Sequence, residues 1–141
     1  MQTFLAYTDF KKSAEVLDGK RLNKQKIEVL SILKSLYCQD KDKKGWKNHP
    51  AVKMWKNHEN ALVEYGLIIC DEWIKRGYKD TCRDKISAYY NNDKPVVKPN
   101  WLNNRFCLSH QSNLIRKKPE HYRIIFGNDI PDNLPYVWPA Q

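Results

Sequence analysis

The feature that most constrains the fold of this chain is a run of helical periodicity between residues 50 and 76. Its apolar residues are three, four or seven positions apart, as on one face of a helix: Val52, Trp55, Leu62, Tyr65, Ile69 and Trp73. Pro50 suits the first position of a helix, and Gly77 suits the left-handed residue that follows the last. The pattern predicts one helix of about 27 residues, whose length of about 40 Å permits a kink near residues 57–60 without requiring one.

Helical spacing also covers the sequence before this run. Asp9 or Thr8 is a candidate N-cap for a short helix that ends near Leu17, and Asp18 opens a longer helix that reaches about Tyr37. The apolar face of the longer helix is formed by Leu22, Val29, Leu30, Ile32, Leu33 and Leu36.

The second half of the chain continues the pattern. Thr81 and Asp84 have the spacing of a capping box, which predicts a helix to about Tyr90. A further helix is predicted over residues 101–117, and a short turn over residues 119–122. No segment shows convincing strand-like alternation, so the sequence predicts an all-α protein, a compact helical bundle.

The chain has the length of one domain, residues 1–141. Its last segment, residues 128–141, contains three prolines and is predicted to be an extended tail. Tyr136 and Trp138 are expected to pin this tail onto the helical body.

The formal charge of +9 narrows the function classes. A small basic domain suggests a polyanionic partner, and nucleic acid or a nucleotide is the first candidate; a solvated lysine-rich surface is the alternative. The hydrophobic content of 41% excludes a disordered chain, and no apolar run approaches the ~20 residues of a membrane span. Because residues 1–10 lack the pattern of a secretory signal, we expect a cytoplasmic protein, or one in the nucleoid or host-cell interior if it is viral.

The cysteines and histidines give no sign of a metal site. No two of the four cysteines have CxxC spacing, so we expect reduced thiols buried as small hydrophobic groups. The four histidines lack zinc-site spacing, and the sequence contains neither a dinucleotide fingerprint nor a P-loop. We therefore expect no metal and no cofactor.

One basic segment lies on the second predicted helix. The face opposite the apolar residues carries Lys20, Arg21, Lys24 and, nearby, Lys26. The first three occupy adjacent helical positions suited to a phosphate backbone, and Gln25 is placed to read a base edge. Glu28 follows Lys24 by four residues, which also fits a simple intrahelical ion pair. A solvated helix face is the alternative reading of this segment.

A second basic segment spans residues 116–123, and His110 lies six residues before it. An ordinary surface histidine is the alternative for His110. Exposed aromatic rings in basic surroundings stack on bases, and Trp46, in the charged loop of residues 39–48, is the candidate for an exposed ring. The tryptophans that fall in apolar stripes are Trp55, Trp73 and Trp101.

Taken together, these segments make the chain resemble the pyrimidine-dimer DNA glycosylases of the phage endonuclease V type. The resemblance covers most of the length and is carried by residues 17–28, 48–65, 73–78 and 116–127. The third segment ends in Lys-Arg-Gly-Tyr, similar to a family helix that ends in Lys-Arg-Gly-aromatic. The first two segments are most similar to a widespread bacterial and viral branch of the family.

The resemblance implies a compact all-α enzyme that cleaves the glycosidic bond of one pyrimidine in a UV dimer and then nicks the strand at the abasic site. In the family, the N-terminal α-amine forms an imine with the sugar C1′, the DNA is kinked and a base is flipped. An α-amine suits this role because its pKa of about 8 leaves a neutral fraction at pH 7. The family has an N-terminal Thr after removal of Met; here Gln2 is large, so the available amine is that of Met1.

The early helix departs from the family pattern. Arg21 matches its first arginine, but Leu22 or Asn23 stands where the family has a catalytic glutamate, and Gln25 stands near the second arginine. Glu28 lies about 1.5 turns beyond that glutamate position.

Two hypotheses follow. In the first, the chain is a DNA glycosylase with AP-lyase activity on damaged or modified pyrimidines, with Met1 as nucleophile, Glu28 as acid and base, and Arg21 in support. In the second, a non-catalytic member of the fold binds nucleic acid or sequesters a nucleotide in the former active-site cleft. Both hypotheses expect a monomer whose partner is DNA or a nucleotide. On the late helix, His110 stands where the family has an arginine, and Lys118 matches a family arginine. The residues expected to bind the partner are Lys20, Lys24, Gln25, His49, Trp55, His110, Arg116, Lys117, Lys118 and Tyr122. In the second hypothesis, Trp55 or Tyr122 forms the stacking wall of the pocket.

Overall fold

The computed structural model describes residues 2–38 and 48–139. Within these ranges it contains seven helices and no strand, which confirms the all-α prediction. The helices are α1 (Phe10–Val16), α2 (Gly19–Leu36), α3 (Pro50–Lys53), α4 (Glu59–Lys75), α5 (Arg83–Ser87), α6 (Asn104–Lys117) and α7 (Pro119–Phe126). No helix in the described part of the chain is long and apolar enough to cross a membrane.

The core is organised around α4, which packs against α1, α2 and α5. Gly66 allows α4 to pack close to both α2 and α5, because a Cβ atom there would lie 2.7 Å from Cγ1 of Val29 on α2 and 3.0 Å from Cγ2 of Ile86 on α5. Apolar side chains from all three neighbours fill the space around α4, and burying them supplies the main driving force for folding.

Local signals placed several helix ends correctly. Asp9 caps α1 by accepting a 3.0 Å hydrogen bond from the amide of Lys12, and α2 begins directly after Asp18. Pro50 opens α3, and Gly77, with φ of 95°, follows the end of α4. In each case a residue and its immediate neighbours determine the boundary.

The prediction of one continuous helix over residues 50–76 is wrong, because α3 and α4 are separate. Asn57 lies between them in the left-handed conformation, with φ of 71°, through which a right-handed helix cannot continue. Nearby, the buried side chain of Asn60 donates 2.9 Å hydrogen bonds to the carbonyls of Asn91 and Lys94. These bonds fasten the start of α4 to a loop some thirty residues away.

Three other predicted boundaries are also corrected. The capping box at Thr81 is wrong, since α5 begins after Cys82 and Asp80 accepts a 2.7 Å hydrogen bond from the amide of Arg83. Helix α6 begins at Asn104, three residues later than predicted, and Asn103 caps it by accepting a hydrogen bond from the amide of Phe106. The predicted short turn after Pro119 is the full helix α7, which ends before Gly127.

The N-terminal segment, residues 2–6, belongs to no helix or strand and is buried throughout. It is held by side chains rather than by a helix or a strand. The C-terminal strap, residues 128–139, runs antiparallel to α6. Its successive contacts with α6 are Arg116 to the carbonyl of Asp132, Asn113 and Ser112 to Leu134, and Ser109 to Val137.

No disulfide bond joins the four cysteines, all of which lie in the described residues. Cys70, Cys82 and Cys107 are buried as expected, while Cys38 is partly exposed. Burial raises the pKa of Cys70 to about 12, helped by the nearby carboxylate of Asp80, and burial raises the pKa of Cys107 to about 11. Both thiols are therefore protonated and unreactive at neutral pH.

Candidate nucleic-acid cleft

One cleft joins the N-terminal segment, α2, the end of α6 and the C-terminal strap. Its volume is about 380 Å³, within the range of about 300–1,000 Å³ that is usual for small-ligand sites. We call it the basic cleft. It is lined by Gln2, Phe4, Lys20, Arg21, Lys24, Gln25, Glu28, Lys117, Tyr136 and Trp138.

Helical spacing gives the basic cleft its charge. Lys20, Lys24 and Glu28 follow one another at intervals of four along α2, so they lie on one side of the helix. Arg21, on the same helix, also lines the cleft. Lys117 adds a fourth cation from the end of α6. Glu28, half-buried, is the one carboxylate among the described residues of the cleft wall.

Lys26 belongs to the first basic segment in sequence but not in space. It is buried, with its Nζ 3.2 Å from Oδ1 of Asp80 and 4.7 Å from the centre of the Trp73 ring. This lysine stabilises the core side of α2 and contributes no charge to the cleft.

Arg21 is oriented by a buried carboxylate. Its Nη1 lies 3.2 Å from both carboxylate oxygens of Asp18, and the hydroxyl of Tyr122 donates a hydrogen bond to Oδ1 of the same residue. Burial alone would raise the pKa of Asp18, but the bonds from Tyr122 and Arg21 outweigh it and hold that pKa below its usual value. Asp18 is therefore ionised at neutral pH and fixes the guanidinium at the edge of the cleft.

Tyr122 is fully buried in this arrangement, so the expectation that its ring forms a stacking wall is corrected. Burial and its bond to Asp18 raise the pKa of its hydroxyl, which stays protonated as a hydrogen-bond donor. Its part in the site is to hold Asp18, and through it Arg21.

Gln25 fastens the N-terminal segment instead of facing a base. Its Oε1 accepts hydrogen bonds from the amide of Phe4 at 2.9 Å and from the hydroxyl of Tyr65 at 2.7 Å. Its Nε2 donates to the carbonyl of Gln2 at 2.8 Å. With its side chain engaged at both ends and only 2% of the residue exposed, Gln25 has no free edge for base reading, and that expectation is corrected.

His110 is a second anchor for the same segment. Its Nδ1 accepts a 3.1 Å hydrogen bond from the amide of Leu5, which places the proton of the neutral ring on Nε2. Burial lowers the pKa of His110 to about 3, so the ring is uncharged at neutral pH. The expected contact with nucleic acid is corrected, because a buried neutral imidazole between Phe106 and Tyr136 cannot reach a phosphate.

Trp55 and His49 are likewise structural in this conformation. The Trp55 ring is fully buried, and its indole nitrogen donates a 3.2 Å hydrogen bond to the hydroxyl of Thr3, so it offers no face to a base. His49 caps α3 through Nδ1, which accepts from the amide of Ala51 at 3.0 Å. Its ring also packs perpendicular to Trp138, beside the basic cleft and outside its lining.

The first three residues of the second basic segment have three different roles. Arg116 holds the C-terminal strap, with Nη1 2.6 Å from the carbonyl of Asp132 and Nη2 bonded to Asn113. Lys117 is exposed and lines the basic cleft. Lys118 is partly exposed between α6 and α7 and contributes positive charge near Asp18.

Sequence reasoning did not place Tyr136 and Trp138 in the cleft. It expected both rings to pin the tail, and they do pack on the body, but they also line the cleft together with side chains of α2. Met1 and Trp46 lie outside the described residues. The described residues contain no group of three or more His, Cys, Asp or Glu arranged to hold a metal ion.

A comparison with protein families gives the cleft its context. The sequence model of the pyrimidine dimer DNA glycosylase family matches residues 1–86, more than half of the chain. The chain belongs to that family. The matched region contains the N-terminal segment, α2 and the α3–α4 pair, and therefore one wall of the basic cleft. No curated protein and no solved structure matches the chain.

Proposed function

We propose that this member of the pyrimidine dimer DNA glycosylase family excises a damaged or modified pyrimidine from DNA and cleaves the strand at the resulting abasic site, with the α-amine of Met1 as nucleophile. The observation that carries the proposal is the buried N-terminal segment, which ends in a basic cleft. Gln2 lines the cleft and is fastened to α2, and Gln2 directly follows Met1 in the sequence. The cleft also contains a carboxylate, Glu28.

The chemistry needs a neutral amine near the sugar. The amine lone pair attacks C1′, the bond from C1′ to the base breaks, and the base leaves with a proton. The sugar ring then opens to an imine between the terminal nitrogen and C1′. Removal of a C2′ proton expels the 3′ phosphate. Surrounding cations disfavour the ammonium form and so increase the reactive neutral fraction.

Glu28 is the best candidate for moving these protons. It is the one acidic residue in α2, and it lies half-buried in the cleft wall. The residues at the family's glutamate position do not offer a carboxylate, since Leu22 is fully buried in the core and Asn23 is exposed. A carboxylate in hydrogen-bond reach of the sugar takes the C2′ proton and returns one to a leaving group.

The cations supply binding without sequence preference. Lys20, Lys24 and Lys117 have exposed side chains suited to phosphate oxygens, and Asp18 orients Arg21 beside them. Phosphate contacts position the strand, while the base is recognised separately. The expected substrate is DNA with a base flipped toward the cleft.

The test is borohydride trapping on a duplex that contains one abasic site. Reduction of the imine is expected to join the protein covalently to DNA, with the adduct on the N-terminal residue by mass spectrometry. Acetylation of the N-terminus is expected to abolish the adduct. Glu28→Gln is expected to slow its formation by at least tenfold, whereas Glu15→Gln, on the exposed surface of α1, leaves the rate unchanged. A protein that forms no adduct on abasic or dimer-containing DNA does not have this activity.

One observation favours a second candidate, a non-catalytic member that binds a nucleotide. The early turns of α2 carry no carboxylate, and Gln25 is used as an anchor for the N-terminal segment. For this candidate, a bound oligonucleotide is recovered uncleaved and borohydride gives no adduct. Recovery of cleaved DNA would exclude it.

A further inference from the structure

The C-terminal strap is attached to α6 at regular intervals. Asn113 Nδ2 donates to the carbonyl of Leu134 at 3.2 Å, and Ser112 Oγ accepts from the amide of the same residue at 3.0 Å. One turn earlier on α6, Ser109 Oγ accepts from the amide of Val137 at 3.3 Å. These bonds use the strap's backbone, so they fix its path up to the residue before Trp138.

The path of the strap places Trp138 in the cleft, where its side chain is unusually exposed for a tryptophan. Trp138 is 40% exposed, although the preceding residue on the strap, Val137, is bonded to α6. Trp55, which serves the core, is fully buried and has a hydrogen-bond partner for its indole nitrogen. A strap that only covered α6 would gain by burying its largest apolar side chain, since burial of apolar surface is favourable.

Two neighbouring rings hold Trp138 in place. The centre of its ring lies 5.9 Å from that of Tyr136, and 6.3 Å from that of His49 in a nearly perpendicular arrangement. Tyr136 in turn packs against the buried ring of His110. Trp138 is therefore supported on the protein side while part of its surface remains available in the basic cleft.

The other residues that line the cleft have the complementary chemistry. Lys20, Arg21 and Lys24 supply positive charge from α2, and Lys117 supplies it from α6. A nucleotide carries an anionic phosphate and a flat aromatic base, which match the cationic and the aromatic residues of the cleft lining. A volume of about 380 Å³ suits a single flipped nucleotide better than a stretch of duplex.

We propose that Trp138, supported by Tyr136, is the surface on which a DNA base stacks when a nucleotide enters the basic cleft. The inference rests on the proposed DNA-binding function of that cleft and adds the group that recognises the base. It assigns the role to the C-terminal strap, which lies beyond the 1–86 region matched by the family. It also replaces Trp55 and Tyr122, which are buried, as the stacking residues.

The test compares two single-stranded probes of equal charge. One is a fluorescein-labelled thymidine pentanucleotide, and the other has a tetrahydrofuran abasic unit in place of each nucleoside. The full-length protein is expected to bind the first more tightly, by roughly 5- to 100-fold, since stacking is the main contribution that the second lacks. Trp138→Ala is expected to remove this preference, with similar affinity for both probes. Trp138→Phe, which keeps an aromatic face, is expected to retain most of it.

Tyr78→Ala is the matched control. Tyr78 is an exposed aromatic residue, 53% accessible, that stacks on Trp73 at 4.2 Å and does not line the cleft. It should leave the preference intact. Thermal unfolding of each variant checks that the fold is retained.

Two outcomes would overturn the inference: a wild-type protein that shows no preference for the base-containing probe, or a Trp138→Ala variant that keeps the preference. Borohydride trapping separates this result from the proposed catalytic function. A protein that prefers the thymidine probe through Trp138 but forms no adduct supports the stacking surface and contradicts the lyase chemistry. If the protein forms the adduct but Trp138→Ala keeps the same preference for the base-containing probe, the lyase chemistry is supported and the stacking role of Trp138 is contradicted.

Discussion

The side-chain Nε2 of Gln25 donates a 2.8 Å hydrogen bond to the backbone carbonyl of Gln2, so the residue after Met1 is fastened directly to α2. The other end of the same side chain accepts from the amide of Phe4 and from the hydroxyl of Tyr65 on α4. A single buried amide therefore links the N-terminal segment to two core helices. Its loss should affect both stability and any chemistry that starts from the N-terminus.

We expect Gln25→Ala to lower the free energy of unfolding by about 3 kcal/mol, because it leaves the amide of Phe4 and the carbonyl of Gln2 without their partners in a buried position. Urea unfolding followed by circular dichroism measures the change. Asn23→Ala, on the exposed side of α2, is the control and should change stability by less than about 0.5 kcal/mol. Equal effects of the two substitutions would show that the anchor contributes no stability.

His110 predicts a pH dependence of stability between pH 6.5 and 3. Burial lowers its pKa in the folded protein to about 3, whereas a histidine in the unfolded chain has a pKa of about 6.5. In this window the unfolded state binds a proton that the folded state does not, so stability falls as the pH is lowered. The expected loss at pH 5 is about 2 kcal/mol relative to pH 7.5, measured by urea unfolding at both values.

His110→Asn is the variant that isolates this effect. Asparagine has no titrating group in the window, and its side chain can still offer an acceptor to the amide of Leu5. The variant is expected to be less stable than the wild type at pH 7.5, but to lose about 2 kcal/mol less between pH 7.5 and 5. Parallel pH profiles for the two proteins would contradict the buried neutral state of His110.

Gly66 gives a prediction in which packing opposes helix propensity. Replacing glycine by alanine inside a helix usually stabilises by about 1 kcal/mol. At this position the added Cβ would lie 2.7 Å from Cγ1 of Val29, so we expect Gly66→Ala to destabilise by about 1–3 kcal/mol. Thermal unfolding measures the change.

A double-mutant cycle with Val29→Ala tests the cause. The smaller side chain removes the closest of the clashing atoms, although Ile86 remains 3.0 Å from the added Cβ. Gly66→Ala should therefore cost clearly less in the Val29→Ala background than in the wild type. Additive effects would show that the contact with Val29 is not the source of the loss.

Three helix ends show where the sequence was informative about the fold. Asp9, Pro50 and Gly77 mark helix ends through bonds or backbone angles that involve only their near neighbours. The sequence predicted Pro50 and Gly77, and it limited the first cap to Asp9 or Thr8. The break between α3 and α4 depends on Asn60, whose partners lie at residues 91–94. Spacing along one segment contains no information about such a distant loop, so the break was not predicted.

The candidate site shows the same division. The charges of Lys20, Arg21 and Lys24 on one side of α2 follow from helical periodicity and were predicted to form one surface. Gln25 and His110 were misread as ligand contacts because their actual partners are backbone groups of the N-terminal segment. Every residue has such groups, so no sequence pattern distinguishes the ones that a buried side chain will bind.

The exposed lysines of the basic cleft predict a salt dependence that differs from the effect of the aromatic wall. Lys24→Ala is expected to weaken binding to duplex DNA of any sequence and to reduce the slope of log affinity against log salt concentration by about one. Lys75→Ala, an exposed lysine at the end of α4, is the control and should leave the slope unchanged. Trp138→Ala removes no charge, so it should lower affinity without altering the slope. Fluorescence anisotropy titrations between about 50 and 200 mM salt measure all three. An unchanged slope in Lys24→Ala would place the phosphate backbone elsewhere on the protein.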